Sequence, residues 1–142
     1  MNLDKMKQTY FTETREVLAE MEHLLLEIEK APGDEELVNA LFRAVHTIKG
    51  SSGMFGVRSV ESFTHVAENV LDRVRKKEVA LDVELSAALL ACHDHITELV
   101  ELHQRGADEP LDEETGKRGA ALIARLGRYT LEAKTEDTSG SE

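Results

Sequence analysis

DEELVNALFRAVHTIKGSSGMFG, residues 34–56, carries both a helix and the residues that interrupt it. Leu37, Leu41, Ala44 and Ile48 recur at helical intervals and predict one buried stripe. Asp34 stands where an N-cap side chain would bond the first free N–H groups. Glu35 and Glu36 follow in the first turn, where the helix dipole favours negative charge. The helix should stop near Phe55–Gly56. At about 100° per residue, His46 falls away from the stripe and points outward. It shares its face with Asn39, Phe42, Arg43, Lys49, Gly50 and Gly53. Glycine on an exposed helix face costs about 1 kcal/mol relative to alanine. Close approach of another protein would offset that penalty, so Phe42, Arg43, Gly50 and Gly53 are candidate docking residues.

The flanking sequence keeps the same period. Upstream, Leu3–Lys30 carries Tyr10, Val17, Met21, Leu24 and Ile28 on one stripe and breaks at Ala31-Pro32-Gly33. Downstream, a third helix carries Val60, Phe63, Ala67, Val70, Leu71 and Val74, with the cations of Arg73–Lys77 at its last turn. Asp82 caps a fourth helix with Leu85, Leu89, Cys92, Ile96 and Leu99 inward, and Gly106 ends it. Beyond Pro110 lies a weaker segment with Leu111, Leu122, Ile123, Leu126 and Tyr129, in which Gly116, Gly119 and Gly127 argue against an unbroken helix. Four amphipathic helices joined by short breaks predict an all-α antiparallel up-down four-helix bundle, with a fifth C-terminal helix packed alongside. Residues 1–131 would form the domain, and 132–142 a disordered tail or the start of a linker.

Composition narrows the function. A chain of 142 residues holds one core and no second sizeable domain. Its net charge of −11 repels phosphate backbones and anionic headgroups, so neither nucleic acid nor a membrane is an expected partner. The single Cys92 rules out an internal disulfide and is expected in the core. No apolar run reaches the length of a membrane span and no basic-then-apolar leader opens the sequence, so a cytoplasmic location is expected.

The hairpin formed by the second and third helices brings chemistry into view. Antiparallel about Gly56, it sets His46 level with about residue 66, bracketed by His65 and Glu68. A carboxylate at 68 reaching across would take the Nδ1–H of His46, fix the tautomer and leave Nε2 free as a nucleophile. Lys49, one turn from His46, could stabilise negative charge on a transferred phosphoryl group.

The run LFRAVHTIKGSSGMFG (Leu41–Gly56), followed by FTHVAENVLDRVR (Phe63–Arg75), closely resembles the histidine phosphotransfer (HPt) domain found at the N-terminus of CheA-type chemotaxis kinases. The resemblance runs from the first helix through the fifth. The H-x-x-K-G-x-x-x-x-x-G core is that of HPt domains generally, and T-H-x-x-E-N-x-L-D looks specific to the CheA type. It implies that His46 accepts the γ-phosphoryl group of ATP from a separate kinase catalytic domain, which itself binds the ATP and magnesium. His46 would then pass the group to aspartates of CheY- and CheB-type response regulators. It further implies that Glu68 bonds Nδ1 and that Lys49 and His65 complete the polar site. This chain would hold no cofactor, would be a phosphoacceptor and relay rather than a kinase, and would be monomeric when isolated.

Other chemistries fail on spacing. A phosphate-cradling loop needs its lysine after the glycines and a preceding strand, and Ser51 and Ser52 do not form a hydrolase elbow. His93 and His95 sit about 200° apart on a helix and cannot chelate one ion together, so both are expected at the surface. Two alternatives remain at this stage. One is a freestanding relay fed by a receiver aspartate; the other is a helical adaptor that binds without phosphate chemistry.

Overall fold

The computed structural model describes residues 3–109 and 111–141, with side chains as far as residue 130. Five helices account for nearly all of them: α1 (Leu3–Lys30), α2 (Glu35–Met54), α3 (Arg58–Arg75), α4 (Val83–Gln104) and α5 (Glu113–Ser141). Their boundaries follow from local chemistry. Asp34 accepts the N–H groups of Glu36 and Leu37 at the start of α2, and Asp82 accepts that of Leu85 at the start of α4. At the far ends the chain turns through left-handed backbone, at Gly56 (φ +71°) after α2 and Gly106 (φ +97°) after α4. There Val57 N–H reaches Ser52 O at 2.9 Å and Ala107 N–H reaches Leu102 O at 3.0 Å, closing carbonyls the helix leaves open. Lys77 makes the same turn after α3 with φ +65° and no glycine.

α1 packs on α2 and α4, α3 packs on α2 and α4, and α5 lies against α3 and α4. The antiparallel four-helix ring therefore has its fifth helix on one flank, as expected. The opposite flank, the outer side of α2, has no helix over it among the described residues. Met21, Leu25, Ile28, Leu41, Ile48, Leu71, Leu85, Leu89, Ile96 and Leu126 fill the centre. No helix of the described residues is long and apolar enough to cross a membrane.

Three expectations need correction. His93 and His95 are buried, not at the surface. α4 buries side chains on either side of its apolar stripe, towards α1 and towards α3 and α5, so it lacks the broad outer face that a single-stripe reading assumes. His93 Nε2 lies 2.9 Å from Leu18 O as its donor, and the His95 ring packs on Phe63 with centroids 4.6 Å apart. The glycines of the last segment do not break α5. At Gly119 the absent side chain is required, because a Cβ there would lie 2.8 Å from His95 Nε2. Ile123 is exposed, and Leu37 and Val17 are only half-buried, with Val38, Val45 and Leu18 taking the inward positions. The expected tail or linker over 132–142 falls where side chains lie outside the described residues.

Candidate functional site

Glu68 is a carboxylate on the inward side of α3, next to Ala67, with only 9% of its side chain exposed. A buried charge requires partners, and α2 supplies two of them. Oε2 bonds His46 Nδ1, and Oε1 accepts from Lys49 Nζ at 2.6 Å. His46 and Lys49 are three residues apart, one turn on the same side of α2, so one carboxylate spans both. Burial by itself would raise the Glu68 carboxyl, but the bonds from Lys49 and His46 outweigh it and hold the group below the ordinary carboxylate range. Glu68 is thus ionised at neutral pH.

An ionised acceptor at Oε2 requires Nδ1 to carry the hydrogen. In the neutral ring the lone pair then resides on Nε2. The His46 side chain is 62% exposed, and no hydrogen bond among the described residues engages Nε2. A basic nitrogen open to solvent, with a carboxylate fixed behind the ring, can attack an electrophile and stabilise the cation that results.

Around this core lies an open cavity of about 300 Å³, lined by Phe42, His46, Lys49, Glu68, Asn69 and Asp72. Phe42 stacks on the imidazole within 12° of parallel, centroids 6.2 Å apart. Arg75 holds its guanidinium carbon 4.1 Å from the Phe42 centroid and donates to Asp72 Oδ1 at 2.6 Å. Sequence reasoning placed none of Asn69, Asp72 and Arg75 at the site. Their signal was available: Glu68, Asp72 and Arg75 are spaced by four and three on α3 and so share one side of it.

The structure brings His46, Glu68, Lys49 and Phe42 together and leaves other candidates apart. Lys49 spends its charge on Glu68, where sequence reasoning had aimed it at a transferred group. His65 is exposed, lies outside the cavity lining, and has no hydrogen bond to His46 or Glu68. Arg43 is exposed one turn before His46, and nothing lies within 4 Å of where a Gly50 Cβ would stand. Gly53 differs from Gly50, since its missing Cβ would meet the Glu61 carboxylate of α3 at 2.5 Å. Its space is filled from within the hairpin.

Residues 5–106 match the Hpt domain family. The chain is 34% identical over 138 residues to the chemotaxis protein CheA of Salmonella typhimurium, a match covering 97% of this chain and 20% of that protein. Against the CheA of Rhizobium meliloti it is 38% identical over 106 residues, 75% of this chain and 14% of that one. The chain thus spans a fifth or less of the curated relatives it matches. Among solved structures, a phosphorylated domain of a CheA protein from R. sphaeroides, in complex with a CheY protein, superposes with a TM-score of 0.79 at 32% identity. That match covers 92% of this chain and 99% of that one. A CheA phosphotransferase domain from Thermotoga maritima superposes with a TM-score of 0.69 at 36% identity, over 73% of this chain and 99% of that one.

Proposed function

The chain belongs to the Hpt domain family, and from that we propose that it is the phosphoacceptor and relay module of a CheA-type chemotaxis kinase, with His46 carrying the phosphoryl group. ATP and magnesium are held by a separate catalytic domain, and this chain contributes the acceptor and its orientation. Nε2 attacks the γ-phosphorus; the N–P bond forms as the P–O bond to ADP breaks. Positive charge then grows on the imidazole. Glu68, already ionised and already bonded to Nδ1–H, faces that charge without rearrangement. In the second transfer a receiver aspartate oxygen attacks phosphorus, and the N–P electron pair returns to Nε2. Lys49 serves by keeping the carboxylate in place. Relatedness to a phosphorylated domain solved with a CheY protein supports CheY-type regulators as recipients, and CheB-type regulators are proposed on the family pattern. The cytoplasm is the compartment in which such partners would be met.

The observation that carries the reading is the buried Glu68 bonded to the Nδ1 of a mostly exposed ring. Incubation with a CheA-type kinase domain and γ-labelled ATP tests it. The expected product is an acid-labile, alkali-stable label that disappears in His46→Gln. Label retained by that variant overturns the assignment.

A further inference from the structure

A line of contacts begins at Asp72 and finishes on the face of the imidazole. Asp72 Oδ1 accepts from Arg75 Nη2 at 2.6 Å, while Oδ2 lies 2.9 Å from Lys76 Nζ. The Arg75 guanidinium carbon stands 4.1 Å from the Phe42 centroid, and the Phe42 ring lies within 12° of parallel to His46. One side of α3 therefore presents a carboxylate to the edge of the imidazole and, two turns later, a cation to the ring that flanks its face.

The two supports restrain different motions. A hydrogen bond at Nδ1 fixes one point on the ring's edge but leaves the plane able to tilt, because the terminal torsion of histidine has a broad well. A flat neighbour parallel to the ring opposes that tilt. Phe42 has the same broad torsion and is only half-buried, so it needs a support of its own. The guanidinium supplies it by attraction to the ring face, and Asp72 keeps the guanidinium from swinging into solvent.

We infer that Arg75 is a positioning residue for phosphoryl acceptance, acting through Phe42 to hold the His46 ring in the plane that aims Nε2 outward. This rests on His46 being the phosphoacceptor. A docking role for Arg75 would also slow the reaction with a protein donor, so the test uses phosphoramidate, which needs no partner. Nε2 forms a bond to phosphorus as the P–N bond of the N-protonated donor breaks, and ammonia leaves with that electron pair.

Arg75→Met keeps aliphatic bulk and removes the guanidinium. In this variant ¹⁵N NMR of His46 should show a smaller Nδ1–H fraction, and phosphoramidate labelling should slow by about fivefold. Arg75→Lys should recover part of both. Lys77→Met, which removes an equal charge paired with Glu35 away from the ring, should change neither. Unchanged tautomer and rate in Arg75→Met overturn the inference, as does a lower melting temperature without a tautomer change. A defect seen only with kinase and ATP also overturns it, since that marks docking. If Arg75→Met fails to fold, Asp72→Asn weakens the same support and is read by the same two measurements. Wild-type protein left unlabelled by either donor would remove the phosphoacceptor reading instead, and the tautomer measurement would still decide whether Arg75 positions the ring.

Discussion

Two histidines in this bundle turn Nδ1 toward a glutamate, and they are built inside out relative to each other. At His46–Glu68 the ring is 62% exposed and the carboxylate 9%; at His95–Glu98, where Nδ1 and Oε1 are 3.5 Å apart, the ring is 5% exposed and the carboxylate 39%. In the first pair the anion is buried and bonded twice, and the second ring nitrogen meets solvent. In the second pair that nitrogen faces α5 at Gly119, 2.8 Å from where a side chain's Cβ would stand. Pairing a histidine with a carboxylate therefore does not make an acceptor. What separates the two is which partner is desolvated and whether Nε2 has room for an incoming phosphorus. The fifth helix lies over α3 and α4, away from the outer side of α2, which closes the space at His95 and leaves it open at His46.

The sharpest way to break this contrast is to neutralise the buried anion. Glu68→Gln preserves size and a hydrogen-bonding oxygen but removes the charge that faces the imidazolium, so labelling should slow by roughly ten- to a hundredfold. The initial rate of label incorporation from ATP measures it, and a wild-type rate would take Glu68 out of the mechanism. The matching change at the other pair should act on stability alone. Gly119→Ala sets a Cβ against the buried His95 ring, which has Phe63 behind it and cannot retreat freely. A loss of about 1–3 kcal/mol in urea unfolding is expected, with labelling of His46 unchanged. A slower label in this variant would tie the flank to the site.

Titration sharpens the same contrast. Burial depresses the His95 pKa, with Glu98 opposing the shift and Arg118 adding to it. The unfolded chain then takes up a proton at His95 before the folded one does. This contribution to stability is intact above the unfolded value of 6.5 and declines as pH falls from there through the folded value. The slope approaches at most about 1.4 kcal/mol per pH unit, and urea midpoints between pH 7 and 5 should be flatter in His95→Gln. Glu68 is depressed from 4.5, so its contribution persists through that window and is lost only as pH falls below it. A pH dependence unaltered in His95→Gln would mean that another group drives it.

The two regions were not equally legible in the sequence. α2 and α3 could be read because each has a stripe facing the core and a side facing away, so period, caps and hairpin register were enough to set Glu68 opposite His46. α3 packs against three helices as α4 does, yet its buried residues keep to its apolar stripe. α4 buries His93 against the Leu18 carbonyl of α1 and His95 against Phe63 of α3, so a wheel that assumes one buried stripe assigns both to a surface that is not there. From sequence Gly119 reads as a weakness in α5 for the same reason, since only the position of His95 on α4 reveals what its missing side chain makes room for. Within the site, the Phe42–Arg75 contact and the grip of Lys49 on Glu68 depend on the far ends of long side chains. Helical spacing gives their direction but not their partner.

The smallest expected effect bears on why the open flank stays open. Gly50 has backbone that any residue could adopt and nothing within 4 Å of the missing Cβ, so alanine there should stabilise the free protein by about 0.4–1 kcal/mol. Gly53 gives a weaker contrast, because its space already holds the exposed end of Glu61. If the glycine at position 50 serves close approach of a partner, Gly50→Ala should raise the melting temperature, leave phosphoramidate labelling unchanged, and slow transfer from kinase or to a CheY-type receiver by a fewfold. Labelling from both donors at wild-type rates, with transfer to the receiver also unchanged, would show that the bare stretch of α2 beyond Lys49 is not a contact surface. The docking role would then rest on Phe42 and Arg43 alone.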